Sequence, residues 1–167
     1  MEVGRARRRH RQGAKRGDLT GPNPTDRAKL GVKRHVLTDG RGVPLSVILS
    51  GANVHDKWSL APTLDAVVLK AGRGTRRPEH CCLDKAYDYA DCEAAVRTRR
   101  ITPHIRHRGE PPLVGCVRGK PRRWVVERTN SWHNRFRALL IRWERKAKNY
   151  LALVYLASAL IAYQQSQ

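Results

Sequence analysis

Acids are what this sequence has least of: 14 Asp and Glu stand against 34 Lys and Arg, a formal charge of +20 and a pI near 11.0. So basic a surface excludes affinity for other cationic partners and predicts binding to a polyanion, nucleic acid first. Cysteine is also scarce. Cys81, Cys82, Cys92 and Cys116 form no C-x-x-C pair, which argues against a structural zinc site, and adjacent Cys81 and Cys82 read as reduced core residues. The N-terminus is basic without an apolar run behind it, so no secretory signal is read there. The longest apolar stretch, Tyr150 to Tyr163, is too short to span a bilayer. These absences describe a soluble, intracellular chain of 167 residues, enough for one domain with a sizeable core.

Because acids are few, each invites a question. Glu127 lies in R-R-W-V-V-E-R-T-N-S-W-H-N-R-F-R-A-L-L-I-R-W-E-R (122–145), where Val125, Trp132, Phe136, Leu139, Leu140 and Trp143 recur at helical spacing. Glu127 falls off that stripe. It is either a solvated acid favoured by the positive end of the helix dipole, or a metal ligand that needs further carboxylates from elsewhere.

In chain order, an arginine-rich arm covers residues 1–31 and suits phosphate contact. Lys33 to Ser50 reads as a hairpin about Asp39-Gly40, with Leu45, Val47 and Leu49 expected on one buried face. Asp39 is a turn residue in this reading. Asp56, after His55, is a helix cap or loop acid before a helix from about Ser59 to Lys70, buried through Leu60, Leu64, Val67 and Val68. His55 is a weak candidate for approaching metal or phosphate. Cys81 to Leu83 form a short buried strand with Asp84 at its carboxyl end, where α/β sheets open their ligand crevice. The alternative is that Asp84 simply starts the turn into a helix from Ala90 to Arg99, although Asp88 is better placed to cap it. A second strand, Ile101 to Ile105, and a basic Pro- and Gly-rich loop, Arg106 to Pro121, precede the Glu127 helix. The final helix, near Asn149 to Gln165, is apolar nearly all round and belongs in the core or in a subunit interface.

Four blocks carry a resemblance: T-G-P-N-P-T-D-R-A-K-L-G-V-K-R-H (20–35), S-G-A-N-V-H-D (50–56), L-D-K-A-Y-D (83–88) and R-R-W-V-V-E-R-T-N-S-W-H-N-R-F-R (122–137). Together, in collinear order from about Gly13 to the end, they resemble the DDE transposases of bacterial insertion sequences, in the insertion-sequence-five-like branch. The resemblance implies an α/β, RNase H-like mixed sheet flanked by helices, lacking most of its first strand. A basic arm with the remnant of that strand would cover 1–31 and the catalytic domain 32–167. It implies metal-dependent DNA cleavage and strand transfer on a two-metal site (Mg2+ or Mn2+), with Asp84 and Glu127 as the second and third carboxylates. Lys33, Arg34, His35, Arg123, Arg128, Arg135 and Arg137 are the implied DNA contacts. The implied partners are double-stranded DNA (terminal inverted repeats and target), further copies of the chain or an upstream-frame product, in the cytoplasm at the nucleoid. Three departures stand out. Asn134 occupies the position of a frequent lysine, L-D-K-A-Y replaces the more usual A-D-K-G-Y, and the family's first aspartate falls before Met1. Glu2 is a poor substitute in the absence of a strand to hold it. The chain therefore reads as an incomplete transposase, inactive alone, or as a non-catalytic DNA-binding remnant that regulates transposition.

Overall fold

A computed structural model describes residues 2–6, 17–67, 78–107, 109 and 123–167, with backbone alone for 2–6 and Arg123. The strands are β1 (Glu2–Ala6), β2 (Gly21–Pro22), β3 (Leu30–Thr38), β4 (Pro44–Gly51), β5 (His80–Leu83) and β6 (Thr102–Ile105). The helices are α1 (Lys57–Asp65), α2 (Ala90–Arg97), α3 (Arg123–Arg135), α4 (Arg137–Leu140) and α5 (Ala147–Ser166). The result is a mixed α/β sheet flanked by helices, as the sequence suggests.

The sheet runs β2-β3-β1-β5-β6, with β4 on the outer side of β3. β1 is antiparallel to β3 (Gly4 opposite Val36) and parallel to β5 (Val3 opposite Leu83), and β6 is parallel to β5. β1 is five residues long and central, and Glu2, expected to have no strand to hold it, lies on it beside Cys82 in register.

Strand alternation divides the core in two. Leu37, Cys81 and Leu83 pack on one face with Leu60 and Leu64 of α1, Cys92 and Val96 of α2, and Tyr87. Val36 and Val47 pack on the other with Leu139, Tyr150, Val154 and Ala157. Leu45 departs from the expected alternation: it packs with the first cluster, whereas Val47 and Leu49 join the second. A register shift between Leu37 and Thr38 is the cause, since an extra residue turns the strand over at that point.

Asp39 closes the hairpin by accepting the Arg41 and Val43 amides, both at 2.8 Å. Gly42 sits there at φ +85°, and an added Cβ would meet the Thr129 hydroxyl at 3.1 Å. Gly42→Ala is expected to cost about 2 kcal/mol, from left-handed backbone strain plus the displaced helix contact, read as a lower urea midpoint.

The single long helix expected over 122–145 is instead broken. Phe136 adopts an extended conformation between α3 and α4, and the chain leaves helix after Leu140. The buried face of α3 is Val125, Val126, Thr129 and His133, while Leu140 and Trp143 of the expected stripe are 44% and 66% exposed. The break lets Leu139 enter the core, where its carbonyl accepts the Tyr150 hydroxyl at 3.1 Å. α1 also ends earlier than expected, with Pro62 in its last turn, and Val68 lies outside the described residues. Among the described residues no helix is long and apolar enough to cross a membrane.

Candidate active site

Asp84 follows β5 in extended conformation (φ −68°, ψ 153°), and its carbonyl accepts the Tyr87 amide at 2.9 Å to open the turn Lys85–Tyr87. Leu83 belongs to the α1/α2 core, so alternation turns half-buried Asp84 toward the opposite face. One residue on from the Val3–Leu83 pair, it comes level with Gly4 and hence with Val36.

Glu127 is exposed on α3. That helix packs on β1 and β3, and its Asn134 meets Arg34, which alternation puts on the same face of β3 as Val36. Its start is tied to the β3–β4 hairpin: the Thr129 hydroxyl donates to the Gly42 carbonyl and the Arg128 guanidinium to the Arg41 carbonyl. Its far end is tied to the middle of β3, where Arg34 Nη2 donates to Asn134 Oδ1 at 3.1 Å. Asp84 and the helix that carries Glu127 therefore lie on one side of the sheet, with Glu127 on the exposed side of that helix. They differ in level: Glu127 is at the hairpin end and Asp84 toward the end where β5 stops.

Both carboxylates are hard oxygen donors of the kind magnesium prefers. They fit such an ion in kind but not in number: among the described residues no group of three or more His, Cys, Asp or Glu could hold a metal.

The expected DNA contacts separate into two sets. Lys33, Arg34 and His35 are 7%, 3% and 0% exposed, so the structure places them inside the fold rather than against a ligand. Lys33 Nζ lies 3.0 Å from Asp56 Oδ1 and also donates to the Val54 carbonyl. Asp56 does not cap α1 with its side chain; its carboxylate is spent on this buried ion pair. His35 Nε2 meets the Ser50 hydroxyl at 2.7 Å. Burial pulls the Arg34 guanidinium below its ordinary pKa, an effect opposed by Tyr150 beside it. Asn134, the departure from the family lysine, supplies the carbonyl that Arg34 needs, which an ammonium could not do.

Arg128 is half-buried between the rings of Trp124 and Trp132, at 4.6 and 5.0 Å. It clamps the helix start to the hairpin. Arg135 and Arg137 are exposed, and of Arg123 only the backbone is described. Of the basic loop 106–121, only Arg106, His107 and Gly109 are described.

Two contacts near Asp84 had little sequence signal. Asp88 does not cap α2; its carboxylate lies 2.7 Å from His107 Nδ1. His55 accepts the Lys57 amide through Nδ1 at 3.3 Å, so Nε2 carries the proton it shares with the Tyr89 hydroxyl at 3.2 Å. Cys92 is remote in function: burial pushes its thiol up to about 11, and alkylation at pH 8 is expected to leave it unmodified in the folded protein.

Residues 5–162 match the transposase DDE domain family. Among curated proteins the chain is similar to the "Putative transposase for insertion sequence element IS402" of Burkholderia cepacia, 44% identical over 147 residues, covering 86% of this chain and 68% of that protein. No solved structure matches.

Proposed function

This chain belongs to the transposase DDE domain family, and from that premise we propose that it carries the RNase H-like catalytic core that cuts transposon ends and joins them to target DNA. Asp84 and Glu127 are the carboxylates of that core. What supports the assignment is their placement: a strand-end aspartate and a glutamate-bearing helix on one side of the sheet, about the central strand β1. Magnesium or manganese, held by Asp84 and Glu127 with a further ligand, would polarise the scissile phosphate and activate the attacking hydroxyl. The protein's own part is to position the two carboxylates and to fix the DNA backbone by cationic side chains.

Arg135 and Arg137, exposed just beyond Asn134, are the proposed phosphate contacts on this side. The arginine-rich residues 7–16, outside the described structure, are proposed as another. Lys33, Arg34 and His35 act instead as internal supports of the sheet. Replacing Arg135 and Arg137 together by alanine should reduce the slope of log K against log salt by about 2, with affinity falling alike for all DNA sequences. An unchanged slope would remove both residues from the DNA interface.

A second reading makes the chain a DNA-binding protein that regulates or inhibits transposition without cutting, and the formal charge of +20 suits it equally. The two readings part on Asp84→Ala. The catalytic reading has it abolish magnesium-dependent strand cleavage while DNA binding survives; the regulatory reading has every phenotype unchanged.

A further inference from the structure

The outer side of α5 has no use in the reading above. Tyr150, Val154, Ala157, Ser158 and Ile161 bury one side of this helix. On the other, Leu156 is 60% exposed, Tyr163 65%, Leu160 44% and Tyr155 39%, with Ala152 and Ala159 exposed between them. Ala152, Leu156, Ala159 and Tyr163 follow the four-three-four spacing of a helix–helix seam, and Tyr155 and Leu160 flank it. From Asn149 to Gln167 the chain carries no charged side chain, on a molecule of +20 formal charge. A nucleic-acid surface would carry cations here.

We propose that this face is a homodimer seam, two α5 helices packing antiparallel about a two-fold axis between Ala157 and Ser158. The self-complementarity of the exposed set argues for a second copy. Antiparallel pairing about that point sets Ala152 against Tyr163, Leu156 against Ala159 and Tyr155 against Leu160 of the other copy. Each alanine receives a large side chain, as knobs into holes require, and an isologous contact needs such a match with itself. The side chains offer on the order of 500 Å2 per copy, against roughly 800 Å2 per partner in a standard interface. The dimer is accordingly weak and concentration-dependent. It requires no metal and no DNA, and stands independently of the catalytic reading.

Sedimentation equilibrium of the full chain at high salt tests this. The wild type should show a monomer–dimer equilibrium. Leu156→Glu and Ala159→Lys should each raise the dissociation constant at least about tenfold. Their equimolar mixture should associate again, because position 156 of one copy faces 159 of the other. Both substitutions are at exposed positions, so thermal melts should match wild type. Ala152→Glu mixed with Tyr163→Lys gives a second, independent pair should either variant misfold. A wild type monomeric at all concentrations, a Leu156→Glu protein that dimerises like wild type, or a mixture that fails to re-associate would each overturn the proposal.

Discussion

Asp56→Ala is expected to destabilise the fold by about 3–5 kcal/mol, because it removes a carboxylate that pairs with the buried Lys33 ammonium. Lys33 and Asp56 side chains are 8% and 4% exposed, so solvent does not screen the pair, and their 3.0 Å contact joins β3 to the loop leading into α1. For a domain of this size the loss corresponds to a melting temperature lower by roughly 10 °C. Lys33→Met combined with Asp56→Leu should recover most of it, since an apolar pair of similar volume avoids the desolvation cost of both charges. If Asp56→Ala melts within a degree of wild type, the pair is not a structural support. Lys33 would then be available to a ligand after all.

In a cleavage-competent assembly that completes the site, Asp84→Ala is expected to lower magnesium-dependent strand cleavage by about a thousandfold or more, with the dissociation constant for DNA within about threefold of wild type. Glu127→Ala should behave alike. The two together should cost little more than either, because ligands of one site act as a unit. The binding control separates the carboxylates from the arginines, whose loss weakens DNA binding uniformly. Equal losses of binding and cleavage on removing Asp84 would make it a support for the DNA surface rather than part of the reacting centre.

Much of the sheet was legible because local chemistry and tertiary demand agree there. Asp39-Gly40 between β-rich runs marks the β3–β4 hairpin, and the apolar run ending at Asp84 marks β5, each within a residue or two. The helix over 122–145 was misread for the opposite reason. Its apolar spacing is continuous, but the long-range contacts of Leu139 with Tyr150 and of Asn134 with Arg34 select a break at Phe136 that no local signal announces. The resemblance implies DNA contact for Lys33, Arg34 and His35, and what it does not reveal is their burial beside Asp56, Asn134 and Ser50, which lie 23, 100 and 15 residues away. Of the proposed site, the sequence marks Asp84 and Glu127 by position and resemblance. That Asp84 and the Glu127 helix lie on one side of the sheet becomes visible only once α3 is seen on β1 and β3, and strand alternation turns Asp84 that way.

Metal rescue at Asp84 tests the central claim most directly. In an Asp84→Cys protein the ligand becomes a thiolate, too soft for magnesium but acceptable to manganese. Measured in an assembly whose wild type cleaves, Asp84→Cys should be silent in magnesium and active in manganese, while Asp84→Ala stays inactive in both. If Asp84→Cys and Asp84→Ala respond identically to the two metals, or both cleave as well as wild type in magnesium, Asp84 holds no metal and the catalytic account fails.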